Sequence, residues 1–299
     1  MITGFKEIDT DYPLKKGELV CIAGRPGMGK TSLVRSMLEN NFEVDSRASV
    51  IYLDLYNQQN EIFRSMLASL AKVPNKSLTE VKFFENQGVL VEDNGESIAT
   101  IENSLRYFHR NLDEREHRRV FEATKKLENY RLFCPHINDR KKIDLMEMLS
   151  LYEPHIPEVL VIDPIQMLDI SSNNNSKMAE ILKNLKVLAL EKNILVIVIS
   201  ELSSRVEERC GHRPMLSDLR NVWGMEDTAD KIIFLLRREY YDPLDKPGIA
   251  EVIFAKNRNG KVGSVILNFM KETCYFIDYK SAQSDGFLDD DDFSEFSLG

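Results

Sequence analysis

The stretch Gly24-Arg25-Pro26-Gly27-Met28-Gly29-Lys30-Thr31-Ser32 packs three glycines, a lysine and two hydroxyls into nine residues. It fits G-x-x-x-x-G-K-[ST]. In that pattern the glycines let backbone N–H groups wrap an anion, Lys30 reaches the β and γ oxygens of a bound nucleotide, and the Thr31 hydroxyl binds Mg²⁺. The flanks supply the required context. ELVCIAG (18–24) reads as a short apolar strand, and TSLVRSMLENN (31–41) as a helix whose positive N-terminal end faces the same anion. A mere glycine turn between strand and helix would need neither Lys30 nor Thr31. The stretch therefore predicts a bound nucleotide.

A metal held in this way needs a second carboxylate at the C-terminal end of a neighbouring strand. Asp163, which closes VLVID (159–163), is the candidate. Strands also end in Asp because it starts turns. Four apolar residues before it and a phosphate loop upstream favour the metal role.

These residues need a sheet to hold them, and the chain has the material for one. Its 299 residues, 43% hydrophobic, allow one large domain or two small ones with a sizeable core. The pattern alternates strand and helix, an α/β arrangement around a mainly parallel sheet. SVIYLDL (49–55) reads as a strand and NEIFRSMLASLAKV (60–73) as an amphipathic helix. Residues 74–104 are polar and aperiodic, a peripheral insertion. A charged helix is expected at 111–129, a strand at 130–134, a helix at 141–152 and a strand at 158–163. After a polar loop (170–177), Met178, Ile181, Leu182, Leu185 and Leu188 recur at helical spacing. ILVIVIS (194–200) is a fully apolar run of the kind found in central parallel strands. From Lys231 on, KIIFLLR, IAEVIFAK, SVILNFM and CYFID read as consecutive strands.

No run of 18 apolar residues exists, so no membrane span is expected. MITGFKEIDTDYPLKKG lacks the apolar core of a secretory signal. Cys21, Cys134, Cys210 and Cys274 lie far apart, the usage of reduced thiols in a cytoplasmic protein. Cys134-Pro-His136 and Cys210-Gly-His212 match no common zinc spacing. Net charge is −9, but six of those surplus acids (Asp285, Asp289 to Asp292, Glu295) sit in SDGFLDDDDFSEFSLG. The remaining chain is near balance, so charge does not exclude a nucleic-acid partner.

Around the phosphate loop, further motifs follow in order: TGFKEID (3–9), VIDPIQML (161–168), RPMLSDLR (213–220), EDTAD (226–230), IAEVIFAKNRNG (249–260) and VGSVILNF (262–269). Through most of residues 2–278 the chain resembles the C-terminal motor domain of DnaB-type replicative helicases, a RecA-like ATPase. The resemblance implies a ring of six subunits with ATP and Mg²⁺ at each interface. It also implies single-stranded DNA in the channel and 5′-to-3′ translocation. In a strand, Lys256 and Arg258 point to one face, about 6 to 7 Å apart. In the family this K-x-R supplies trans-acting cations to the next subunit's γ-phosphate. In the family the loop at Ser217-Asp218-Leu219-Arg220 contacts the DNA strand's phosphates through its arginine and backbone amides, so the resemblance implies that role for Arg220, with Asn221 beside it. The family's N-terminal helical domain and most of its linker helix have no counterpart here, as expected of an excised fragment or a short homologue.

The chain departs from the family where it matters most. The family's strand after the phosphate-loop helix ends in S-L-E-M, whose glutamate activates the attacking water; here D-L-Y-N puts Tyr56 in its place. Tyrosine, with a reference pKa near 10, is a poor general base at neutral pH. Two carboxylates can stand in. Asp54 shares a strand face with Tyr56, and Glu201 follows ILVIVIS, where the family has a γ-phosphate-sensing glutamine. Alternatively Glu201 pairs with a base such as Arg205, and hydrolysis is weak. Pro164 replaces the family's usual aromatic. Trp223, the chain's single tryptophan, replaces a glycine. It can stack on a base, worth roughly 1 to 3 kcal/mol, or pack on a neighbouring helix. The loop 170–177, with Lys177, and the segment Arg205–Arg213 also face the channel in this reading.

The expected organisation is a RecA-like P-loop motor domain over residues 1–280 and an acidic disordered tail over 281–299. The tail's LDDDDF is loosely similar to the acidic tip of bacterial single-strand binding proteins; a solvated end is the plainer reading. The expected function is an ATP-dependent DNA helicase motor of the replicative kind. Its catalytic set is Lys30, Asp163 and Glu201 or Asp54; a loader, a primase or another replication protein are the protein partners open to it. The alternative is a hydrolysis-poor, nucleotide-switched assembly or loading factor. A RecA-like recombinase or clock-type ATPase would lack the SDLR and KNRNG pair.

Overall fold

The structure, a computed structural model, describes residues 1–55, 60–78, 112–135, 156–168, 175–219 and 222–279. Tyr56, most of the expected insertion, the helix expected at 141–152, His136, Arg220, Asn221 and the acidic tail lie outside those residues.

The strands are β1 Leu19–Gly24, β2 Ser49–Asp54, β3 Arg131–Phe133, β4 Val159–Asp163, β5 Leu195–Glu201, β6 Lys231–Leu236, β7 Ile249–Asn257, β8 Gly263–Met270 and β9 Tyr275–Asp278. They form one sheet in the order β3-β2-β4-β5-β1-β6-β7-β8-β9. β3 to β6 in that order are all parallel, and β7, β8 and β9 extend the sheet antiparallel. This is the mainly parallel α/β architecture with extra C-terminal strands that the sequence predicts.

Helices α1 Lys6–Asp11, α2 Lys30–Val44, α3 Asn60–Leu70, α4 Glu114–Glu128, α5 Asn175–Glu191 and α6 Met225–Thr228 complete it. Side chains alternate across each strand, and here both sets are apolar because helices cover both faces. Val20, Ile22, Val50, Tyr52, Val159, Val161, Ile197 and Ile199 face α2, α3 and α4. Leu19, Cys21, Ile51, Leu53, Leu160, Ile162, Val196 and Val198 face Leu182, Leu185 and Leu188 of α5. No helix of the described residues is long and apolar enough to cross a membrane.

An interior ion pair fixes α2, the helix that carries Thr31. Arg35 and Glu39 are both buried, with Arg35 Nε 3.2 Å from Glu39 Oε1. Arg35 Nη2 also donates to the carbonyls of Thr273 (3.1 Å) and Cys274 (2.5 Å), and Ser69 Oγ donates to Glu39 at 2.8 Å. The helix is thereby tied to the turn before β9 and to α3.

Two elements differ from the sequence reading. Helix α1 is not expected from the sequence, since six residues give too short a period to register. It forms because Phe5 and Ile8 are buried and Asp9 accepts from Thr3 N (2.8 Å) and Gly4 N (3.0 Å). Residues 175–177, expected in a polar loop, begin α5 instead. Ser176 and Lys177 are exposed on its first turn, so hydropathy does not reveal them as helical.

Candidate active site

Parallel strands bring their C-terminal ends to one edge, and that edge is where α/β sheets bind ligands. Here the adjacent ends of β2, β4, β5 and β1 carry Asp54, Asp163, Glu201 and Gly24. Asp54 pairs in register with Asp163, and Glu201 with Gly24. With strands about 4.8 Å apart, Asp54 and Asp163 stand level, and Glu201 lies two residues further along β5, level with the start of the phosphate loop.

The loop's conformation depends on two glycines. Gly27 and Gly29 have φ of +78° and +91°, a region costly for any residue with a Cβ. A Cβ on Gly27 would also lie 2.7 Å from Tyr240 Cε2, and one on Gly29 3.3 Å from Phe276 Cζ. Gly29 is the N-cap of α2. Pro26, Gly27 and Thr31 are exposed, Ser32 is half-buried, and Met28 is buried. Arg25 turns away from the loop: its Nε bonds Glu207 Oε1 at 2.9 Å and its Nη1 donates to Leu202 O at 2.8 Å.

Arg237, just past β6, supports the loop from below, a role the sequence does not signal beyond a cation closing an apolar run. Its backbone N–H donates to Met28 Sδ at 3.4 Å and its Nη1 to Gly27 O at 3.3 Å. The guanidinium pairs with Glu239 and lies 3.8 Å over the Phe269 ring.

Lys30 is only 8% exposed, and its Nζ donates to Arg25 O at 3.2 Å. Burial lowers its pKa from the ordinary lysine value, while Glu201 and Asp163 pull it back up. Thr31 Oγ1 donates to Asp163 Oδ2 at 2.6 Å, so α2 and β4 present a hydroxyl and a carboxylate together. Burial raises the Asp163 pKa, opposed by hydrogen bonds from Thr31 and from Tyr52. Oxygen ligands of this kind fit Mg²⁺, which takes one or two protein oxygens beside those of a phosphate. Thr31 and Asp163 are the residues that would hold it.

Glu201 is exposed at the end of β5. Among the described residues its carboxylate has no hydrogen bond or ion pair, and the alternative pairing with Arg205 is not formed. Gln166 Nε2 donates to Ser200 Oγ (2.9 Å) and Glu201 O (3.2 Å), which fixes the end of the strand. Asp54 is half-buried beside Asp163, one strand further from the phosphate loop.

Lys256 and Arg258 lie at the opposite edge of the sheet. Lys256 is opposite Ile232, which is level with Cys21 near the start of β1. Arg258 is beyond the end of β7, not on the strand face expected from the sequence. Both cations reach the carbonyl end of α6, where the helix dipole favours them. Lys256 Nζ donates to Glu226 O (2.6 Å) and Ala229 O (2.7 Å), and Arg258 Nη2 to Asp227 O (3.0 Å). Arg258 also has an acidic partner that the local sequence does not show, Asp230 at 3.4 Å. Neither cation is placed to serve its own phosphate loop. Trp223, two residues before α6, is 57% exposed rather than packed away. Arg205 is exposed on a short 3₁₀ turn (Ser204–Glu208).

The profile of the family described as DnaB-like helicase C terminal domain matches residues 1–105 and 95–278. The chain belongs to that family. This DnaB-like domain is 32% identical over 288 residues to a probable plasmid replicative DNA helicase of Chlamydia psittaci, covering 94% of this chain and 56% of that protein. A replicative DNA helicase DnaB of Buchnera aphidicola is 29% identical, with 56% of it covered. The chain thus spans little more than half the length of these relatives. Among solved structures, one described as an ATPase domain superposes with a TM-score of 0.74 at 27% identity, covering 93% of this chain and 90% of that one. A DnaB-like replicative helicase studied with primase gives 0.75 at 26%, covering 93% and 61%. The sheet described above is therefore the RecA-like core of a DnaB-type ATPase domain.

Proposed function

We propose that this chain is the motor part of a replicative-type DNA helicase, a ring of six that uses ATP to move 5′ to 3′ on single-stranded DNA. The observation that carries the reading is the split between the two sheet edges. The Thr31–Asp163 pair and Lys30 stand at one edge and Lys256 and Arg258 at the other, which supports a site completed by the cations of a second copy of the chain.

Bound Mg²⁺ would supply positive charge to the β and γ phosphates. Lys30 neutralises charge on the γ-phosphoryl group as the bond to ADP breaks, and Thr31 and Asp163 hold the metal side of the site. A carboxylate holds the attacking water and takes its proton. Glu201 is the better placed, being beside Gly24 and, among the described residues, without an ion-pair partner; Asp54 is the second candidate. Lys256 and Arg258 of the adjacent subunit stabilise the transferring group. Arg220 and Asn221 would contact the strand's phosphates. Exposed Trp223 offers an indole for base stacking, with Arg205 as a further cation. Residues 1–280 form the motor and 281–299 a solvated tail in this reading.

The test is displacement of a labelled strand from tailed duplexes. With ATP, a duplex bearing a 5′ single-stranded tail is unwound and one bearing only a 3′ tail is not. Equal unwinding of both, or of neither at ring-forming concentrations, contradicts the proposal. Tyr56, in place of the family's glutamate, favours a second reading as a nucleotide-held assembly factor. That reading predicts tight ATP and DNA binding with no displacement.

A further inference from the structure

Tyr52 is a buried residue that the mechanism above does not use. It sits on β2, opposite Val161 of β4, and its side chain is fully buried. A buried tyrosine hydroxyl finds a hydrogen-bond partner, and here the partner is the metal-side carboxylate. Tyr52 Oη donates to Asp163 Oδ2 at 2.7 Å, the oxygen that also accepts from Thr31 at 2.6 Å. A carboxylate oxygen has two lone-pair sites. Oδ2 is therefore saturated by two donors from two different elements. Oδ1 has no donor among the described residues.

We infer that Tyr52 is a positioning residue for the metal. By occupying the second lone pair of Oδ2, it fixes the rotation of the Asp163 carboxylate and leaves Oδ1 as the oxygen free to serve the coordination shell. Thr31 alone cannot do this, since a single donor on one oxygen leaves the carboxylate free to swing about it. The aromatic ring, wedged in the core beside Val50 and Val161, gives the hydroxyl a fixed origin. In the sequence, Tyr52 and Asp54 share a strand face, but only the register with β4 shows which carboxylate the hydroxyl meets.

The inference rests on the reading of Gly24–Ser32 as a nucleotide site, and the experiment separates the two. Affinity for a non-hydrolysable ATP analogue is measured by calorimetry in EDTA and in Mg²⁺, for the wild type and Tyr52→Phe, with thermal melting of both. The wild type binds more tightly in Mg²⁺ than in EDTA. Tyr52→Phe melts like the wild type and keeps its EDTA affinity, but loses about tenfold of the Mg²⁺-dependent gain, the scale of one hydrogen bond to a charged group. An unchanged Mg²⁺ gain in Tyr52→Phe overturns the inference while leaving the nucleotide site intact. An equal fall in EDTA and in Mg²⁺ also overturns it, by showing that Tyr52 supports the fold and not the metal. A wild type that binds the analogue in neither condition removes the nucleotide site and the inference with it.

Discussion

Lys30→Ala will lower ATP turnover by about 10³-fold, the scale seen when a preorganised charge is taken from a transition state, without lowering the melting temperature by more than a few degrees. The asymmetry follows from what Lys30 touches. Its side chain is almost fully buried, yet it donates to a loop carbonyl, Arg25 O, rather than to a carboxylate. The fold therefore loses little when it goes. The site loses the cation that Asp163 and Glu201 act on, since their carboxylates are the groups that raise its pKa. Without Lys30 those two acids would face the γ-phosphate with their charge uncompensated from the loop. Steady-state phosphate release checks the rate and differential scanning calorimetry the stability. Turnover within tenfold of wild type would mean that the loop binds a phosphate it does not help to transfer.

Arg258→Ala will also lower turnover, by about 10³-fold or more, the usual contribution of an arginine supplied in trans. Its contacts in this chain predict little structural cost. The side chain is 45% exposed, with a carbonyl contact to Asp227 and a 3.4 Å approach to the buried Asp230, and Asp230 keeps Lys186 at 2.6 Å and the Leu19 N–H, so its carboxylate is not left unpaired. The informative experiment mixes two inactive proteins. Lys30→Ala subunits retain Arg258, and Arg258→Ala subunits retain a working phosphate loop. In a mixed ring some interfaces combine the intact half of each, so turnover returns on mixing. Were the two residues to act within one subunit, mixing would restore nothing. The separation of the two groups across the sheet is the reason to expect recovery.

Much of this arrangement is legible before folding. The phosphate loop announces itself because its glycines, Lys30 and Thr31 each have a local reason, and Asp163 because a carboxylate ends an apolar strand. The strand sequence is equally plain, since continuous apolar runs such as ILVIVIS require cover on both faces. What is not legible depends on which strands become neighbours. Period-two alternation places Tyr52 on a face but cannot reveal that β4 lies alongside, so its bond to Asp163 stays hidden. Arg237 looks like the polar end of a strand until β6 is placed next to β1, where its N–H meets Met28 and its guanidinium meets Gly27. Lys256 and Arg258 are expected on one strand face. The strand ends at Asn257, and Arg258 turns toward Asp227 and Asp230, residues adjacent only through the antiparallel pairing of β6 and β7. Trp223 has two readings of similar weight, and its exposure is a property of the assembled surface alone.

Steady-state ATP hydrolysis by the purified chain, with and without single-stranded DNA, tests the central claim most directly. The gathering of Lys30, Thr31, Asp163 and Glu201 at one edge of the sheet predicts measurable turnover in Mg²⁺, and the proposed motor function predicts that it rises when single-stranded DNA is added. Tight ATP binding with no turnover in either condition, at concentrations where the ring forms, would contradict a motor and leave a nucleotide-held assembly protein.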